Sequence, residues 1–227
     1  MRKRVLWGHH LSEYVDMFDL GADIVDKKVL EFASGPTAVN KELTEKSGCI
    51  QSCDPWFSAD FKAMQHQFLV HLDLQLERMK AYPERFSFDK YGGFETFIAK
   101  RQQGVNAFLN DYLKGYTQGR YLGVGDFQLP FPQASFDIAL CSNYLFADLP
   151  SQDLAFHLKW IKELARVAHE VCIYPLTEND GQISQWLGPV LLQLQQEGFL
   201  VAIQEVPFRL LPNSKAMLKL SYGRCDL

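Results

Sequence analysis

A strand, a tight turn, a helix and a second strand follow one another between Lys28 and Asp54, and this succession constrains the fold more than anything else in the chain. Lys28 to Ala33 (KVLEFA) is a short apolar run ending at Ser34-Gly35-Pro36, which predicts a buried strand stopped by a turn. Residues 37–47 predict a helix closed by Gly48, and Cys49 to Cys53 predicts a second strand broken by Asp54-Pro55. Two strands joined by a helix run parallel, so the chain is read as an α/β sheet protein.

The alternation resumes after a long gap. Arg120 to Val124, Phe136 to Cys141 and Val171 to Tyr174 predict further strands, with helices over 152–168 and 184–197, the latter capped by Gly198. Val201 to Phe208 and Ala216 to Tyr222 predict a closing strand pair joined by a Pro-Asn-Ser turn. The gap itself, 56–118, is rich in aromatic and long polar residues. It reads as two or three helices, the last in the outer layer of the sheet and the remainder a lid. Residues 1–20 place Leu6, Leu11, Tyr14, Val15 and Phe18 at helical spacing and predict an N-terminal helical cap. With no repeat and no low-complexity linker, 1–227 is read as one domain.

Composition narrows the partners. A formal net charge of -4 does not attract a polyanion, which disfavours nucleic acid. No apolar stretch approaches the roughly 20 residues a membrane helix needs, and no hydrophobic segment follows the basic start Arg2-Lys3-Arg4. The expectation is a cytoplasmic protein. The 5 cysteines show no paired CxxC spacing, so reduced, mostly buried thiols and no metal centre are expected.

Four short segments at the carboxyl ends of expected parallel strands could carry chemistry. Glu31-Phe32-Ala33-Ser34-Gly35-Pro36 exposes backbone N–H groups beside a helix start, a cradle for a polar ligand. Asp54, just after the second strand, is placed to accept hydrogen bonds from ribose hydroxyls. Asp126, with Phe127 beside it, could take an exocyclic amine and cover a ring face. Ser142-Asn143-Tyr144 follows the fourth strand at the same edge. Each has a plainer reading as a turn; their order along one sheet edge is what makes them a candidate site.

These segments resemble the class I S-adenosylmethionine-dependent methyltransferase family, in its small-molecule-type branch. VLEFASGP is similar to the glycine-rich first motif, CDP to the second, and GDFQLPFPQASFDIALCSNYLF to the third and fourth. The resemblance covers roughly 28 to 55 and 118 to 175, and Ala33 and Thr37 stand where the first motif usually has glycine. It implies a Rossmann-like, seven-stranded, mostly parallel sheet with an antiparallel last strand. It also implies S-adenosylmethionine (SAM) as cofactor, S-adenosylhomocysteine as product, and a small-molecule acceptor. On that resemblance Glu31, Ala33 and Gly35 lie against the amino acid part of the cofactor. Asp54 holds the ribose with Pro55 or Trp56 beside the adenine, Asp126 and Phe127 hold the adenine edge, and Asn143 and Tyr144 border the methyl. His10, in the N-terminal cap, is a further candidate near the methyl. Two rivals remain at this point: a SAM-binding regulatory protein without transfer, and a nicotinamide-dependent oxidoreductase, for which the turn lacks a full G-x-G-x-x-G.

Overall fold

The computed structural model describes residues 6–58, 60–125, 127–147, 152–178 and 181–222. The chain opens with an irregular strap, residues 6–10, and helix α1, Leu11–Phe18. Strand β1 (Lys28–Phe32), helix α2 (Val39–Glu45) and strand β2 (Cys49–Asp54) follow as one βαβ unit. Two long helices, α3 (Phe61–Ala81) and α4 (Phe94–Thr117), precede β3 (Tyr121–Gly123) and β4 (Phe136–Ser142). The chain ends with α5 (Leu154–Val167), β5 (Ala168–Tyr174), α6 (Leu187–Gln196), β6 (Phe199–Glu205) and β7 (Ala216–Tyr222).

The seven strands form one sheet in the order β3-β2-β1-β4-β5-β7-β6. The first five run parallel, and β7 is inserted antiparallel to both β5 and β6. This is the Rossmann-like sheet expected from the sequence. Its central strands alternate between two cores because both faces are covered. Val29, Ile138, Leu140 and Cys172 pack with α1 to α4, whereas Leu30, Phe32, Ala139, Cys141, Val171 and Ile173 pack with α5 and α6. Cys53, Cys141 and Cys172 are buried free thiols and Cys49 is exposed. No helix among the described residues is long and apolar enough to cross a membrane.

Several boundaries differ from the sequence reading, each for a local reason. The N-terminal helix begins only at Leu11, where the Glu13 side chain reaches back to accept the His10 backbone N–H at 2.9 Å. The segment before it is irregular, with Gly8 left-handed. The strand expected to reach Phe208 stops at Glu205. Beyond it the Val206 N–H pairs with the Lys215 carbonyl and the Phe208 N–H with the Asp16 carbonyl, which draws the chain off the sheet toward α1. The 56–118 region contains two long helices. Of these, α4 packs on α2 and β3 as the outer-layer helix, and α3 packs on α4.

The strap crosses α4 where both chains have glycine. A Cβ on Gly104 would lie 1.9 Å from the Gly8 carbonyl oxygen, and Gly8 itself has φ +54. Only two glycines allow this approach. Helix propensity alone makes Gly104→Ala stabilising by about 1 kcal/mol. The crossing reverses the sign: we expect Gly104→Ala to destabilise by about 1–3 kcal/mol, the range for forcing extra volume into a packed site. Urea denaturation of the two proteins decides between the signs.

Candidate functional site

The order β2-β1-β4 places the topological switch point between β1 and β4, and ligands of open α/β sheets bind outside the carboxyl ends of such strands. The described residues singled out from the sequence lie around this edge. Asp126 lies outside the described residues.

The turn after β1 is built on two left-handed residues, Ala33 at φ 52 and Gly35 at φ 73. The backbone conformation a glycine would take freely is kept at Ala33, at about 1–2 kcal/mol. What holds the turn is Glu31. Its side chain is buried on the face of the sheet that packs against α1 and α2. It accepts hydrogen bonds from the hydroxyls of Tyr14 (2.9 Å), Thr37 (2.6 Å) and Ser52 (2.6 Å). Tyr14 also pairs with Ser142 at the end of β4, 2.8 Å away, and Asn40 of α2 donates to Ser52. Burial pushes the Glu31 carboxyl up, and the donors from Ser52, Thr37 and Tyr14 act against that. Thr37, where a glycine was expected, is therefore a working part of the turn.

Asp54 at the end of β2 is buried and receives two backbone donors, the N–H of Gly35 and the N–H of Trp56, each at 2.8 Å. Its carboxylate thus joins the glycine turn to the second strand. Pro55 is exposed, and Trp56 packs against His71 with ring centroids 4.9 Å apart and planes tilted by 33°, which brings α3 to the rim of the site.

Asn143 follows β4 at φ 55, with its N–H bonded to the Tyr174 carbonyl. It faces His9, not His10. His10 itself is extended, at φ -102 and ψ 160, and its ring does not follow that of His9. It turns away from Asn143, its Nδ1 2.6 Å from Glu42 and its Nε2 3.2 Å from the Lys100 carbonyl. This corrects the expectation that His10 lies near the reacting end. Tyr144 also departs from it, its ring packing against Phe32 and Phe156 on the opposite face of the sheet. Phe127 shares that aromatic group through Phe156 and Trp160, 41% exposed, with Lys159 above its ring.

Arg101 and Glu13 are the components that sequence patterns missed. Arg101 is 1% exposed in the middle of α4. It donates to the Trp7 carbonyl (3.0 Å) and to Glu13, which also receives the Tyr91 hydroxyl at 2.6 Å. Its Nη1 lies 3.0 Å from His9 Nδ1, nearer than Glu13 Oε2 at 3.5 Å. A guanidinium only donates, so His9 Nδ1 accepts and the ring hydrogen sits on Nε2. The Asn143 amide nitrogen lies 3.1 Å from Nε2, and an amide turned over by 180° would bring its oxygen to that ring hydrogen. Burial works to raise the Glu13 carboxyl, and the Arg101 guanidinium beside it and the Tyr91 hydroxyl draw it the other way, holding it below the usual carboxylate range. Leu6 covers the glycine turn, 2.8 Å from where a Gly35 Cβ would stand, and the His9 carbonyl takes the Ala38 N–H at the start of α2.

Burial lowers the His9 pKa below its ordinary 6.5, keeping the ring neutral. His157 is shifted the same way. On unfolding both rings regain the ordinary value and bind protons more readily. Their contribution to stability is thus present above pH 6.5 and is lost as pH falls below it, at up to about 1.4 kcal/mol per pH unit for each ring. We expect unfolding free energy to fall on acidification below pH 6.5, with a slope shallower by about one ring's share in His9→Phe. Denaturation at a series of pH values reads both slopes, and equal slopes would remove His9 from the neutral buried set.

No known family profile matches the chain. It is similar to an uncharacterized protein of Methanocaldococcus jannaschii, 24% identical over 192 residues, which is 84% of this chain and 86% of that protein. Among solved structures it is similar to a SAM-dependent methyltransferase from Aquifex aeolicus, at 15% identity and TM-score 0.41, covering 85% of this chain and 79% of that one. It is also similar to an O-methyltransferase from neocarzinostatin biosynthesis, at 12% identity and TM-score 0.41, covering 86% of this chain and 49% of that one. The strand order β3-β2-β1-β4-β5-β7-β6, with β7 inserted antiparallel between β5 and β6, is the seven-stranded Rossmann-like arrangement that the resemblance to class I SAM-dependent methyltransferases implies.

Proposed function

We propose that the chain binds SAM at the carboxyl edge of β1, β2 and β4 and transfers its methyl group to a small-molecule acceptor. One observation carries the reading: a buried acid at the end of β2, Asp54, is clamped by the N–H of Gly35 and the N–H of Trp56 beside the switch point. These donors fix the carboxylate's position at the edge where ribose hydroxyls are held in doubly wound sheets. The residues present fit such a cofactor: Gly35 keeps the turn narrow, Asp54 suits the ribose, and Trp56 offers an aromatic face beside it. Asp126, placed by the sequence after the third strand, belongs to the same proposal.

The sulfonium of SAM supplies an already activated methyl group, so the protein's task is positioning and the exclusion of water. Asn143 and His9 stand at the end of β4, where the acceptor would approach. In the tautomer set by Arg101, His9 turns its one ring N–H to Asn143 and so positions that amide at the edge rather than acting as a base. The charge of -4 and the absence of a basic face in the sequence pattern favour a small acceptor over nucleic acid.

Titration calorimetry with SAM tests the cofactor. One-to-one binding is expected, weakened about tenfold or more in Asp54→Asn, the scale of a lost charged hydrogen bond, with circular dichroism unchanged. Equal affinity in the two proteins, or binding of NAD in place of SAM, overturns the reading.

A further inference from the structure

A pocket of about 140 Å³ opens between α1, the turn before α4, α4 itself and the segment after β6. Its walls are Ser12, Glu13, Asp16, Lys90, Tyr91, Lys100, Phe208 and Arg209, and the charges around it do not balance. Each acid is matched by a base. Glu13 pairs with the buried Arg101, and Asp16 pairs with Lys90 at 3.0 Å. Lys100 and Arg209 then remain without an acidic partner among the described residues. Lys100 holds its ammonium 5.5 Å from the centre of the Tyr91 ring, and Arg209 spends Nη1 on the Val206 and Phe208 carbonyls. Two cations left over around one concavity are unexpected in a chain of net charge -4. Side chains merely solvated at a surface have no reason to converge on a pocket.

The pocket adjoins the candidate site. Phe208 lines it and also lines a small cavity shared by Trp7, His9, Asn143, Tyr174 and Ser214. The Phe208 ring stands edge-on to His9 and to Tyr174, with centroids 5.7 Å away in both cases. Tyr91 and Phe208 provide apolar surface, and Lys100 and Arg209 provide charge. That combination suits a small molecule with an apolar body and an anionic group. Arginine and lysine both recognise carboxylate and phosphate through charge-assisted hydrogen bonds.

We propose that this pocket is a binding site for a small anion, the carboxylate or phosphate monoester group of a small molecule held by Lys100 and Arg209. The site stands on its own charges and does not require that the neighbouring edge bind SAM.

Calorimetry on the full chain at constant ionic strength, with inorganic phosphate and with benzoate as separate probes, tests it. One-to-one binding of at least one probe is expected. Phosphate alone identifies the phosphate class, and benzoate alone the carboxylate class. Lys100→Met and Arg209→Met should each weaken binding about tenfold, the scale of one partly solvated charged hydrogen bond. Asp16→Asn acts in the opposite sense, since it frees Lys90, and should tighten binding several-fold; a gain of affinity cannot come from misfolding. SAM titrations run on the same four proteins should agree with one another. Failure of both probes to bind in the millimolar range overturns the proposal, as does binding that none of the three substitutions changes. Anion binding without SAM binding would leave this site standing and remove the methyltransferase reading, and the converse result would do the opposite.

Discussion

The carboxylate of Glu31 is the interaction on which the carboxyl edge depends. A charge-bearing group buried at the end of a central strand is tolerated only when donors surround it. Here the donors come from four separate pieces of chain: Tyr14 of α1, Thr37 of the turn, Ser52 of β2 and, through Tyr14, Ser142 of β4. In parallel register Glu31 lies opposite Ser52, so the pairing of β1 with β2 also aligns the hydroxyl with the carboxylate. The turn after β1, the helix above it and both neighbouring strands are thereby tied to one atom group. Asp54 then adds the second link by binding the Gly35 N–H.

The strap before α1 is held by a second buried charge. Arg101 binds the Trp7 carbonyl, the His9 ring and Glu13, so one guanidinium sets the path of the backbone, the tautomer of His9 and the start of α1. A buried ion pair of this kind is weak evidence for stability but good at selecting one arrangement, because removing either partner strands the other. The glycine-to-glycine crossing at Gly8 and Gly104 serves the same end by letting the strap sit close enough for the guanidinium to reach it. As a result the strap, and not a longer N-terminal helix, forms the roof over the glycine turn.

Much of this was legible beforehand, and the pattern of misses is instructive. The βαβ unit and the strand-end residues Glu31, Gly35, Asp54 and Asn143 follow from apolar runs, turn chemistry and their order, whereas the inserted antiparallel strand follows from the family resemblance. Which of His9 and His10 meets Asn143 is not legible from a helical reading of the N-terminus. In a helix the two lie 100° apart, whereas the irregular strap turns the two rings to different partners. Arg101 sits in a polar stretch of α4 whose pattern does not show what it meets. Its burial depends on Glu13, Trp7 and His9, all distant in the chain.

The sequence by itself determined the sheet, its order of construction and the positions at which a ligand could meet it. Those follow from local periodicity and from turns that only certain residues make. Tertiary structure alone decided which polar groups meet: Glu31 with three hydroxyls, Asp54 with two backbone amides, Arg101 with His9, and Lys100 and Arg209 in the walls of one pocket whose acids are already paired. Periodicity records which side of an element a residue occupies. It carries no information about what another part of the chain brings to that side, and the chemistry of the site is made of such meetings.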